Sequence, residues 1–208
     1  MTIRRLVHVS RASVGPTVPK PAKAVLSVIY GDNDELIRAV AKVWIKPTDR
    51  VLDVTYGGGK WWKKYRPASL ITHDIALDGV DFCALPEETA SVDVVAFDPP
   101  YVSTGNKETS TVPDMYERYG MGEISGWKAL LEYNIHGLTE CIRVLAPGGR
   151  LLMKCGDWIE SGGFRQGHLI MVQAGMELGL KQLDEFVHLS GTGPQPKFNR
   201  DGSPRRQV

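Results

Sequence analysis

Acidic residues are missing from the first 24 positions of this 208-residue chain, where Arg4, Arg5, Arg11, Lys20 and Lys23 stand unopposed. From residue 193 onward Lys197, Arg200, Arg205 and Arg206 face Asp201 alone, so a formal net charge of +1 divides into ends of +5 and +3 on a body of −7. Basic, proline-bearing ends on an acidic body suit contact with a phosphate backbone. Cysteine is scarce too. Cys83, Cys141 and Cys155 show no metal-like spacing and cannot all pair with one another, which suggests no zinc site and predicts a reducing, cytoplasmic setting. No apolar run approaches the roughly 20 residues of a membrane helix, so no membrane partner is expected. The first ten residues also lack the amphipathic stripe of an organelle-targeting peptide.

The length suits one substantial core. Pro16, Pro19 and Pro21 interrupt any period near the start, so residues 1–24 read as a basic arm whose removal should flatten the salt dependence of nucleic-acid binding. Residues 25–192 read as the domain and residues 193–208 as a basic tail.

The domain is organised around Asp98-Pro99-Pro100-Tyr101, which ends the run Val92-Asp93-Val94-Val95-Ala96-Phe97. A short β-branched apolar run predicts a buried strand of a parallel sheet, which delivers Asp98 to the sheet's carboxyl edge, where ligands bind in open α/β folds. Pro99 and Pro100 then lock the chain direction. A carboxylate, rigid carbonyls and an aromatic ring held together suit the activation of an amino group on an aromatic ring. Acceptors at Asp98 and the Pro99 carbonyl would stabilise the positive charge that develops on its nitrogen, and Tyr101 would stack on the base.

Upstream, Val51-Leu52-Asp53-Val54-Thr55-Tyr56-Gly57-Gly58-Gly59-Lys60 predicts a strand, a glycine turn and a helix through Trp61, Trp62 and Tyr65. No third glycine follows at dinucleotide-fingerprint spacing, and the P-loop spacing is absent as well. Leu70-Ile71-Thr72-His73 predicts a second strand ending at Asp74, where an acid can accept from ribose hydroxyls. A third strand is expected to end at Asp81-Phe82. A helix capped by Asp32 or Asn33 is predicted over Leu36, Ile37, Val40, Val43 and Trp44, covering the edge of the cleft.

Downstream, residues 102–126 are polar and aperiodic and read as a substrate-facing loop, with Tyr116, Arg118 and Tyr119 available to stack or touch phosphate. A helix from about Trp127 stops at Pro147-Gly148-Gly149, with His136 and Cys141 as packing residues. The run Arg150 to Cys155 predicts a strand, Leu169 to Met176 a helix, and Phe186-Val187-His188-Leu189 a further strand.

In this order the motifs resemble the S-adenosylmethionine-dependent amino-group methyltransferases, above all the DNA adenine and cytosine amino enzymes with their Asp-Pro-Pro-Tyr motif. The resemblance covers roughly residues 34–189. It implies an α/β, Rossmann-like class I fold with a mostly parallel central sheet and helices on both faces. It further implies S-adenosyl-L-methionine as cofactor, held by Asp53, Thr55, Gly57, Gly59, Asp74, Asp81 and Phe82, with Asp98, Pro99, Pro100 and Tyr101 catalytic. The implied substrate is nucleic acid, DNA ahead of RNA and adenine ahead of cytosine, with a partner chain or dimer as one source of sequence specificity. Ribosomal or transfer RNA base amines are the alternative substrates. A catalytically silent nucleic-acid-binding or regulatory module is the alternative of another class. One departure stands out: the family adds an antiparallel seventh strand after the sixth, and the glycine- and proline-bearing tail from Gly191 supplies none.

Overall fold

The computed structural model describes residues 2–11, 24–101, 124, 126–160 and 163–190. Along the chain these form β1 (Thr2–Arg11), β2 (Val28–Tyr30), α1 (Asn33–Trp44), β3 (Arg50–Asp53), β4 (Ser69–Thr72) and β5 (Val92–Phe97). There follow α2 (Gly126–Val144), β6 (Leu145–Gly156), β7 (Trp158–Glu160), β8 (Gly163–Arg165), α3 (Gly167–Glu177) and β9 (Leu180–Ser190). The fold is α/β, and its main sheet has seven strands in the order β2-β9-β1-β6-β5-β3-β4. Neighbours are parallel except on the two sides of β1, which runs antiparallel to both β6 and β9.

Alternation along the strands builds two cores. Val51, Val94, Ala96 and Leu152 point to the face covered by Leu36, Ile37, Val40 and Ala41 of α1. Leu52, Val95, Phe97, Leu151 and Met153 point to the other face, under Leu131, Leu138, Cys141 and Val144 of α2 and Met171 and Ala174 of α3. Because side chains alternate with period two, each strand feeds both cores, which is why the central runs read as continuously apolar. Among the described residues there is one helix on one face and two on the other, and no helix is long and apolar enough to cross a membrane.

The structure corrects four expectations. First, residues 2–11 are not an arm but the strand β1, with Leu6 and Val7 at 0% and 1% exposure, one in each core. Second, an antiparallel strand, expected to be missing from the sheet, is present among the described residues as β1, which lies between β6 and β9. Pairing on both sides satisfies the backbone of β1 and covers the flanks of β6 and β9 that would otherwise be edges. Third, no helix forms through Trp61, Trp62 and Tyr65, where the chain is a series of turns. The glycines before them take positive φ of 55°, 74° and 76° at Gly57, Gly58 and Gly59, a path no helix can follow. Fourth, Asp81 and Phe82 lie in a turn rather than at a strand end. The short strand β2 and the β7–β8 hairpin were not anticipated. Residues 12–23, the loop with Tyr116, Arg118 and Tyr119, and the tail from residue 191 lie outside the described residues.

Candidate functional site

Strand order reverses at β3: the chain steps to β4 on one side and crosses back to β5 on the other. Ligands of open α/β sheets bind at the carboxyl ends beside such a reversal. Asp53 ends β3, Asp74 lies two residues beyond β4, and Asp98 directly follows β5. The site residues taken from the sequence thus gather at one edge, with the exceptions described below.

The glycine turn is held by these acids. Asp53 is 2% exposed, and its carboxylate accepts from the Thr55 backbone N–H at 2.9 Å and from the Trp62 indole at 2.6 Å. Burial pushes its carboxyl up to about 7 against the pull of those two donors, with Asp98 and Asp74 adding to the rise. Asp53 is therefore a brace under the turn. Asp74 caps the turn from the next strand, accepting from the Gly57 N–H at 2.8 Å and the Ala76 N–H at 3.0 Å. A Cβ at Gly58 would meet nothing within 4 Å, so the middle of the turn presents bare backbone to open space. Thr55 links the turn to the Asp98 motif, its Oγ1 accepting from the Asp98 backbone N–H at 2.8 Å.

Asp98 does not stand alone. Lys154 of β6, with a side chain 0% exposed, donates to its Oδ2 at 2.9 Å and its Oδ1 at 3.2 Å. The Trp61 indole donates to Oδ2 and the Tyr101 hydroxyl to Oδ1, each at 3.2 Å. Lys154 also reaches the Tyr101 oxygen at 3.1 Å. Tyr101 is half-buried, and the Arg4 guanidinium of β1 lies 4.8 Å from its ring centre. The expected stacking ring is thereby joined to the carboxylate through its hydroxyl and already carries a cation over its ring. Pro99 and Pro100 are buried, and the Pro100 carbonyl accepts from Asn134 Nδ2 of α2 at 2.6 Å.

Asp81 and Phe82 serve a different neighbourhood. Asp81 accepts from the Cys83 N–H at 2.8 Å and the Tyr133 hydroxyl at 3.0 Å, and burial followed by the nearby Asp81 raises that phenol. The Phe82 ring is 7% exposed and packs edge-on against Phe97, 5.2 Å between centres. Gly137 makes room for it, since a Cβ there would come 2.2 Å from the ring. Burial likewise pushes the Cys83 thiol up to about 12 and raises those of Cys141 and Cys155.

No family model, curated protein or solved structure matches the chain. The geometry has to speak for itself.

Four residues of this edge escaped the sequence reading: Trp61, Trp62, Asn134 and Lys154. A signal existed for each. Lys154 is a lone charge inside Leu151-Leu152-Met153-Lys154-Cys155, and Asn134 occupies the helical position between Leu130 and Leu138 that an apolar stripe would fill. The adjacent tryptophans each bring one indole donor, and each ends on a different acid.

Proposed function

We propose that this chain transfers a methyl group from S-adenosylmethionine to the exocyclic amino group of a nucleic-acid base, adenine in DNA first, on a Rossmann-like methyltransferase fold. The observation that carries this reading is the meeting of Asp53, Asp74 and Asp98 around a bare glycine turn. Asp74 beside the turn repels a ligand that would bring phosphates there and attracts a nucleoside with positive charge, while the charge of Asp98 is balanced by Lys154 and Asp53 is buried beneath the turn. S-adenosylmethionine fits that donor set. Gly58 leaves backbone open to it, with Gly59 lying against the Tyr56 ring, and Asp74 retains lone pairs for ribose hydroxyls beyond those used by Gly57 and Ala76. When bound, it supplies an electrophilic methyl on a sulfonium, the sulfur keeping the bonding electron pair as the new N–C bond forms.

The chain's own residues would do the rest. Asp98 and the Pro99 carbonyl accept from the amine and stabilise its growing positive charge, after which the nitrogen releases one proton to water. A base in a duplex has to leave the stack to arrive there. An RNA base amine offers the same chemistry and stays the alternative substrate. The full occupancy of the Asp98 oxygens favours one second reading, a nucleic-acid-binding module whose site no longer turns over. Labelled methyl transfer to matched DNA and RNA pools, followed by nucleoside analysis, tests all three. Methylated adenine from DNA supports the first, label in RNA alone the second substrate, and cofactor binding without transfer the silent module. Tighter binding of a nicotinamide dinucleotide than of S-adenosylmethionine would sink the assignment.

A further inference from the structure

A carboxylate has about four lone-pair sites, and Asp98 fills all four: two with Lys154, one with Trp61 and one with Tyr101. An ammonium has three N–H donors, and Lys154 lies within hydrogen-bond distance of Oδ1, Oδ2 and the Tyr101 oxygen. Among the described residues Lys154 is the cation that hydrogen-bonds to Asp98. The Tyr101 hydroxyl can turn away from Oδ1 and still accept from Lys154.

We propose that Lys154 is the positioning residue for Asp98, gripping both carboxylate oxygens so that the lone pair released by the Tyr101 hydroxyl on Oδ1 is the one offered to the substrate amine. A carboxylate held at one oxygen swivels about its bond to Cβ, whereas one held at both by a buried partner does not. Lys154 is itself walled in. Its register partner across the sheet is Leu6 of β1, and Phe186 of β9 continues the same row, with Leu6 and Phe186 both buried. Other groups with charge to exert here are Asp53 and Asp74 at the strand ends, Arg4 over the Tyr101 ring, Cys155 beside Lys154, and His188. His188 is lowered by burial and binds the Gly31 carbonyl, so it does not compete for Asp98.

The role in catalysis rests on the methyl-transfer reading, but the grip can be read without turnover. The Trp61 indole N–H reports the orientation of Oδ2, and its amide-type NMR signal is followed in the parent protein, Lys154→Met, Asp98→Asn and the double variant. Lys154→Met is expected to speed exchange of that indole proton by about 10- to 100-fold, the loss of one ordered charge-assisted hydrogen bond. In the Asp98→Asn background it should add nothing, because Lys154 acts through Asp98. In transfer assays Lys154→Met should lower kcat while the KM for cofactor holds. An unchanged indole signal in Lys154→Met overturns the proposal whatever the transfer assay shows. A parent protein inert on every pool counts against the methyl-transfer reading and leaves the indole result to judge the grip. Should Lys154→Met not fold, the parent decides alone: a slowly exchanging Lys154 ammonium resonance is expected, and a neutral amine or a fast-exchanging one overturns the proposal.

Discussion

Replacing Leu6 by alanine tests whether the first strand is a structural member of the sheet. Leu6 is 0% exposed and lies in the core that also holds Leu36, Ile37, Leu152 and Phe186. Its neighbours are a helix on one side and strands on both flanks, so the site cannot collapse easily around a deleted isobutyl group. Substitutions of this kind cost about 2–5 kcal/mol. With a urea dependence near 2 kcal/mol per molar, a cost of about 3 kcal/mol lowers the unfolding midpoint by roughly 1–2 M. Leu26→Ala is the control, because that side chain is 73% exposed and its loss should stay within about 0.5 kcal/mol. Circular dichroism through a urea series at fixed pH measures both. If Leu6→Ala unfolds at the same midpoint as Leu26→Ala, residues 2–11 are a dispensable arm and the assigned topology is wrong. On the same reasoning, deleting residues 1–20 should abolish cooperative folding rather than flatten a salt dependence.

Three further outcomes follow from the site. Asp53 has a folded-state carboxyl raised from 3.8 to about 7, so its contribution is full below pH 4 and is lost as pH climbs through about 7. That loss is on the order of 4 kcal/mol, and Asp53→Asn should flatten the fall in urea midpoint across this window; an equal slope in both proteins would contradict the assignment. Asp98→Asn should slow single-turnover methyl transfer by roughly 2–4 kcal/mol of transition-state stabilisation at saturating cofactor, with transfer at the parent rate reducing the motif to a strand end and a turn. It should also destabilise the fold by about 3–5 kcal/mol, since the buried Lys154 ammonium loses its ion-pair partner Asp98. Asp74→Ala should weaken S-adenosylmethionine binding by about 1–3 kcal/mol in calorimetry, and unchanged affinity would remove Asp74 from the cofactor site.

What the sequence determined by itself was everything written in local pattern. The run from Val92 to Phe97 announced a buried strand and hence the placing of Asp98. The stripe from Leu36 announced α1, at whose N-cap position Asp32 stands without a side-chain cap hydrogen bond, and the spacing of Leu130, Leu131, Leu138 and Ile142 announced α2. These are properties of neighbouring residues, and short-range sterics and periodicity suffice to read them. Only the tertiary structure decided the rest. Thr2–Arg11 mixes three arginines and a histidine with four apolar residues, and it becomes a central strand because partners some 140 to 190 positions away offer it two unfilled edges. Lys154 sits in an apolar strand, and the acid nearest in sequence, Asp157, is engaged by Arg5 and His168. Its acceptors arrive from Asp98 and Tyr101, more than fifty residues earlier, once β5 and β6 lie side by side. Burying a charge is tolerable only where such a partner is waiting, and no local pattern records a partner that the fold alone brings near.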